Sequence, residues 1–192
     1  MSHDTPGIQA SPQLPSAQAL HHLKSNLDRL TQRATVTQLR QWLTDTPVAL
    51  DDVHPYAEFS ALGYTRNLVC EGPWYHLLVL CWRSGQRSPI HNHAASTCGV
   101  KVLTGVATET VFEPTPSGQL KPMQSVDLHE GMICATQDAD THQVSNLQAS
   151  GQDLVTLHIY SPPLIEMDKF SITGGQVERY IPMMGYADGG GI

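Results

Sequence analysis

Two histidines set two residues apart are the clearest chemical signal in this chain: His91 and His93, in Ser88-Pro-Ile-His91-Asn-His93-Ala-Ala-Ser-Thr-Cys98. Along a β-strand, side chains at i and i+2 leave the same face. An extended backbone here aims both imidazoles at one point. Two converging imidazoles make half of a metal site and need one or two more ligands from elsewhere. The competing explanation is a pair of histidines on a solvated strand face.

A second group of polar residues shows the same alternation. Thr156-Leu-His158-Ile-Tyr160 puts Thr156, His158 and Tyr160 on one face of a strand and Leu157 and Ile159 on the other. Tyr64 and Arg66 share a face in the same way. On a rim or an exterior surface such residues need no explanation. On the inner face of a small barrel they cost free energy unless they serve a ligand.

The elements that must position these residues change character along the chain. Residues 1–16 are rich in Pro, Ser and Gln and read as a disordered tail. From Ala17, Leu20, Leu23, Leu27 and Leu30 recur at helical spacing. A second helix is expected over residues 37–43, capped by Thr35 or Thr37, and a short third over residues 55–62. His21, His22 and His54 fall in this region, form no helical ligand motif and are expected on solvated positions. From Gly63 the texture is β. Residues 74–82 form a continuous apolar, aromatic run, and shorter strands follow over 98–103, 106–112, 119–128, 132–135, 141–146 and 154–160, separated by Gly, Pro and Asp turns. Many short strands after a helical start predict a mainly β chain: a β-barrel with N-terminal α-helices capping one side. The expected division is one domain over residues 17–184, with a helical cap at 17–62 and a barrel core at 63–170, followed by a loose Gly-rich tail at 185–192.

The bulk numbers narrow the partners. With 192 residues, the chain suits one domain. Its net charge of −7, from 11 basic and 18 acidic residues, argues against binding a nucleic-acid backbone. No apolar run approaches a membrane span, and the N-terminus lacks the apolar stretch of a signal peptide, so a cytoplasmic protein is expected. The four cysteines, Cys70, Cys81, Cys98 and Cys134, form no C-x-x-C pair and are expected as free thiols. Cys70, Cys81 and Cys134 lie in or beside apolar runs and read as small buried hydrophobes. Nothing in the sequence sets an oligomeric state.

A third histidine, His142, lies in Asp140-Thr-His142-Gln-Val-Ser-Asn146. With the first stretch it resembles the cupins. Gly85, five residues, His91 and His93, then Gly105, match that family's first motif, and Gly131, His142 and Asn146 match its second. The resemblance implies a double-stranded β-helix, or jelly-roll barrel, with His91, His93 and His142 on one metal. Two departures stand out: the second motif lacks its Pro-x-Gly, and Cys98 occupies the place of the ligand glutamate. Three histidines carry no negative charge and leave roughly three positions open on an octahedral metal. Such a site suits a substrate that brings its own anion, a thiolate included. Cys98 as a fourth, soft ligand is the less favoured arrangement, because it would occupy a position that a reaction needs.

The chain further resembles the thiol dioxygenases, most closely the cysteine dioxygenase family. The matching pieces are Tyr64-Thr-Arg66-Asn-Leu-Val, Leu80-Cys-Trp82, Ile90-His91-Asn-His93 with Cys98, His142, and Leu157-His158-Ile-Tyr160-Ser-Pro-Pro163. This resemblance implies non-haem Fe(II) on the three histidines and L-cysteine bound through thiolate and amine, with its carboxylate on Arg66. It gives Tyr160 a hydrogen bond near substrate and O2, His158 the orientation of Tyr160, and Tyr64 the closing of the pocket. Thr156 stands where the family commonly has Ser. Some members join a cysteine at the Cys98 position to a tyrosine at the Tyr160 position by a thioether, and this chain has both residues. The implied reaction converts cysteine and O2 to cysteine sulfinic acid. Two rival functions remain: a 3-mercaptopropionate or other small-thiol dioxygenase, disfavoured by Arg66, and a non-catalytic metal-binding cupin sensor, disfavoured by Tyr64, Arg66, His158 and Tyr160.

Overall fold

The computed structural model describes residues 16–137, 141–173 and 177–186. The tail expected at residues 1–16 therefore lies outside the described residues apart from Ser16, as do residues 187–192 of the expected C-terminal tail.

The chain opens with two helices, α1 (Ser16–Leu27) and α2 (Val36–Asp45). Leu23 and Leu27 of α1 and Leu39 and Leu43 of α2 are fully buried, at the positions where helical periodicity places one apolar face. Thr35 caps α2 reciprocally. Its hydroxyl accepts from Gln38 N–H at 3.2 Å, and the Gln38 side chain accepts from Thr35 N–H at 2.9 Å. The third helical piece differs from expectation. It consists of α3 (Leu50–Val53) and a single 3-10 turn at His54–Tyr56, with nothing helical over residues 57–64. Asp52 accepts from Ala49 N–H at 2.8 Å, fixing the start earlier than the apolar pattern suggested. Pro55 sits at the start of the 3-10 turn, where its missing N–H costs nothing.

Twelve strands follow among the described residues: β1 (Thr65–Gly72), β2 (Tyr75–Trp82), β3 (Ile90–His91), β4 (Thr97–Thr104), β5 (Val106–Pro114), β6 (Leu120–His129), β7 (Ile133–Gln137), β8 (His142–Ser145), β9 (Leu154–Ser161), β10 (Met167–Phe170), β11 (Glu178–Tyr180) and β12 (Gly185–Tyr186). One sheet runs β12-β1-β2-β9-β4-β7 and the other β11-β10-β3-β8-β5-β6. Within them β2-β9-β4-β7 is matched by β3-β8-β5-β6, with the chain passing repeatedly from sheet to sheet. That winding is the jelly roll, or double-stranded β-helix, and the chain is mainly β with N-terminal helices.

The central strands explain why the core reads so plainly. β2 and β9 are buried along their whole lengths. On β2, Leu77, Val79 and Cys81 pack beneath the helices, while Leu78, Leu80 and Trp82 face the barrel interior. On β9, Val155, Leu157 and Ile159 join the helix-covered layer. The opposite parity sends Thr156, His158 and Tyr160 inward. Gly105 makes the turn from β4 to β5 with φ +84°, where a Cβ would lie 2.6 Å from the Asp153 carbonyl. Gly185 and Tyr186, assigned by composition to a loose tail, instead pair in parallel with Asn67 and Leu68 of β1. Gly185 is there for closeness: a Cβ would approach Asn67 Oδ1 to 2.8 Å.

Candidate active site

β3 ends at His91, and the antiparallel β3–β8 register sets His91 directly opposite His142. His93 follows the strand. The chain then reverses in a tight turn in which Ser96 N–H donates to the His93 carbonyl at 2.9 Å. The two central residues, Ala94 and Ala95, have φ of +44° and +72°, conformations that cost a side-chain-bearing residue roughly 1–2 kcal/mol each. Arg33, between α1 and α2, donates to the Ala95 carbonyl at 2.9 Å and ties this turn to the helical layer.

The three histidines meet inside the barrel. Each offers one ligand atom, and these atoms lie within 4.8 Å of one another. All three are buried. His91 Nδ1 lies 2.9 Å from the Pro89 carbonyl and donates to it, leaving Nε2 as the free lone pair. Burial holds the His91 pKa down at about 3 and that of His93 well below the ordinary value, so both rings are neutral. Neutral, convergent, buried imidazoles are what a transition-metal dication requires, and the donor set fits one.

Glu109 on β5 stands behind His142. Its Oε1 is 2.8 Å from His142 Nδ1, within hydrogen-bond distance but outside the alignment of one. The closeness of His142 holds the Glu109 carboxyl below its usual range. Sequence reasoning missed this residue. The available signal was its phase: two residues along β5 from Ala107, Glu109 shares the face on which Ala107 packs into the interior.

The wall contributed by β9 is a connected chain of hydrogen bonds. Trp82 Nε1 lies 3.1 Å from Thr156 Oγ1, Thr156 Oγ1 lies 2.9 Å from His158 Nε2, and His158 Nδ1 lies 3.1 Å from Tyr160 Oη. The indole N–H can only donate, so Thr156 Oγ1 accepts from it and keeps both a proton and a lone pair with which to meet His158 Nε2. Burial holds the His158 pKa well down, so the ring is neutral; the tautomer with its proton on Nδ1 accepts from Thr156 and donates to Tyr160. In that tautomer the Tyr160 hydroxyl proton is left to point elsewhere. Burial also raises the Tyr160 pKa, keeping the phenol protonated.

Arg66 reaches the same space from β1. Its Cζ lies 5.2 Å from the Tyr160 ring centroid. Only 4% of the residue is exposed, and its Nε and Nη2 have no hydrogen-bond partner. A buried guanidinium with idle donors is costly unless an anion completes it. Tyr64 stacks on Trp82, with ring centroids 4.2 Å apart and planes 8° from parallel. Cys98 on β4 faces Tyr160 directly across the β4–β9 register, and burial pushes its thiol pKa up.

All the residues singled out from sequence line one cavity except Thr156, which sits behind His158. Glu109, Trp82 and Cys134 line it as well. Cys134, read as a buried hydrophobe, is only partly buried. Asn146 of the second cupin motif is an anchor rather than a ligand: its amide donates to the carbonyls of Trp82 and Gln152 at 3.0 and 2.9 Å. His21, His22 and His54 are exposed, as expected. His76 was not anticipated. It is buried on β2, with Nε2 3.2 Å from the Glu71 carboxylate and Nδ1 without a partner. No helix among the described residues is long and apolar enough to cross a membrane.

The sequence family described as cysteine dioxygenase type I matches residues 9–173. Among curated proteins, cysteine dioxygenase type 1 of Danio rerio is 39% identical over 114 residues, covering 56% of this chain and 56% of that protein. The Bos taurus protein of the same name is 34% identical over 131 residues, covering 66% and 64%. The matched region thus spans a little over half the length of these relatives. Among solved structures, the chain is similar to a conserved protein from Klebsiella pneumoniae with a double-stranded β-helix domain. The identity is 16% and the TM-score 0.49, with 68% of this chain and 88% of that one covered.

Proposed function

Because the chain belongs to the cysteine dioxygenase type I family, we propose that it is an iron-dependent thiol dioxygenase that oxidises L-cysteine with O2 to cysteine sulfinic acid. The observation that carries this reading is Arg66: a buried cation with two idle donor atoms, lining the same cavity as three convergent, buried histidines. A small thiol bearing a carboxylate answers both features. Thiolate suits the metal, and carboxylate suits a planar guanidinium with two parallel donors.

In this reading Fe(II), held by His91, His93 and His142, supplies the redox-active centre at which thiol and O2 meet. The protein does the rest. Arg66 fixes the carboxylate and so the orientation of the sulfur. Tyr64, stacked on Trp82, forms the wall beside Arg66. Tyr160 keeps its hydroxyl proton available to the substrate side because His158 donates to its oxygen, and Thr156 sets the His158 tautomer. Both oxygen atoms finish on sulfur, two rungs up the thiol oxidation ladder, and sulfur supplies the electrons, so no external reductant is consumed. In this reading Cys98, in register with Tyr160, is joined to the tyrosine ring by a thioether, the two hydrogens lost from sulfur and ring reducing one O2 to hydrogen peroxide. Four free cysteines suit a reducing compartment such as the cytoplasm.

The test is sulfinate formation from cysteine and from 3-mercaptopropionate by iron-loaded protein. A clear preference for cysteine supports the substrate. A large preference for 3-mercaptopropionate overturns it while leaving the thiol dioxygenase reading in place.

A further inference from the structure

We infer that Glu109 is a positioning residue of the metal centre, holding His142 by its outer nitrogen and supplying the one negative charge that a three-histidine site lacks. The inference rests on reading His91, His93 and His142 as metal ligands. The sheet places Glu109 for this role. In the β5–β8 ladder Val111 pairs with His142 and Glu109 with Val144, so Glu109 lies one cross-strand step from His142 on the same face. Its carboxylate comes within 2.8 Å of His142 Nδ1, and its side chain is only 18% exposed.

The two better-defined ligands are held differently. His91 gives its Nδ1 proton to a backbone carbonyl, a neutral acceptor fixed by the chain itself. For His142 the atom facing Nδ1 belongs to a carboxylate, the kind of outer partner that fixes the orientation of a ligand imidazole. The other carboxylate oxygen is also engaged: Glu109 Oε2 lies 3.9 Å from Cys134 Sγ, close enough to accept a weak hydrogen bond from the thiol. Cys134, Glu109 and His142 therefore form a short polar line that ends at a proposed metal ligand, with Glu109 and His142 in the sheet opposite the Trp82–Thr156–His158–Tyr160 chain and Cys134 reaching Glu109 from across the barrel. With three imidazoles and the Arg66 cation around one cavity, Glu109 is the acidic side chain that lines it among the described residues.

The experiment compares the 192-residue chain with Glu109→Gln, which keeps shape and loses charge, and Glu109→Asp, which keeps charge and shortens reach. Anaerobic Fe(II) and Co(II) titrations give affinities, and the Co(II) visible spectrum reports ligand geometry without any turnover. Glu109→Gln is expected to bind both metals roughly 10- to 100-fold more weakly, with a shifted Co(II) spectrum and a metal-free melting temperature within a few degrees of the parent. Glu109→Asp is expected to recover part of the affinity. Affinity within twofold of the parent, with an unchanged Co(II) spectrum, overturns the inference. If Glu109→Gln does not fold, the same two readouts on Glu109→Asp decide, an unchanged spectrum and affinity again overturning it. If the parent chain itself binds neither metal, the three-histidine reading fails instead.

Discussion

Replacing Arg66 with methionine separates substrate binding from everything else at the site. Methionine fills much of the arginine stem's volume and removes the charge, so no large cavity opens. In the structure Arg66 is 4% exposed, and two of its donor atoms have no partner. A carboxylate that completes them gains two charge-assisted hydrogen bonds, each worth about 1.5–3 kcal/mol. At the lower end, losing both costs about 3 kcal/mol, or roughly a hundredfold in kcat/KM for cysteine. Cysteamine keeps the thiol and amine but has no carboxylate, so its turnover by Arg66→Met should stay within about threefold of the parent. The assay is oxygen uptake by each protein with each thiol, at matched metal content. Because an unpaired buried cation is unfavourable before substrate arrives, Arg66→Met should also melt at the same or a higher temperature without thiol. Equal losses for cysteine and cysteamine would refute the carboxylate assignment. A fall of many degrees in melting temperature, or loss of metal, would make Arg66 a structural residue.

Thr156→Val leaves the Trp82 N–H and His158 Nε2 without their shared partner. Such buried orphans cost about 1–3 kcal/mol each, so chemical denaturation should show a loss of a few kcal/mol, largely restored by Thr156→Ser. Stability should fall with acid. Burial lowers the folded pKa values of His76, His91 and His158 below those of the unfolded chain. Below about pH 6.5 the unfolded chain therefore takes up protons that the folded chain refuses, and each group costs about 1.4 kcal/mol per pH unit. For His91 the loss continues toward pH 3. Denaturation at pH 7.5, 6.5 and 5.5 should show a plateau and then a decline that His76→Asn makes shallower; a flat profile would contradict buried neutral histidines. Peptide mass spectrometry of turned-over protein should find the Cys98 and Tyr160 peptides joined and lighter by two hydrogens. Fully active, iron-loaded protein yielding only separate peptides would rule the thioether out.

The barrel was legible because β2 is buried on both faces and so carries a nearly continuous apolar and aromatic run, followed by many short strands separated by turn residues. That Thr156, His158 and Tyr160 share one face followed from strand parity; that this face is the inner one rests on the packing of β9 between β2 and β4. His91 and His93 were visible from spacing, whereas their union with His142 depends on the β3–β8 pairing, a long-range contact that no local pattern encodes. For the same reason Glu109 escaped notice: its meaning comes from the register of β5 against β8. Cys134 resembles any other thiol in an apolar run until its neighbour across the barrel is known. Gly185 shows the converse error. Glycine near a chain end suggests looseness, yet here it permits close packing against Asn67. The short strands β10, β11 and β12 are too brief for alternation to register, and Pro55 misled the third helix because its role at a helix start resembles its role at a break.

The most direct measurement is oxygen uptake by metal-analysed protein supplied with L-cysteine and 18O2. One O2 should be consumed per cysteine sulfinic acid formed, with both labelled atoms in the product and activity in proportion to bound iron. Protein shown to hold iron that consumes no O2 with cysteine, cysteamine or 3-mercaptopropionate would contradict thiol dioxygenation and leave a metal-binding protein without that chemistry.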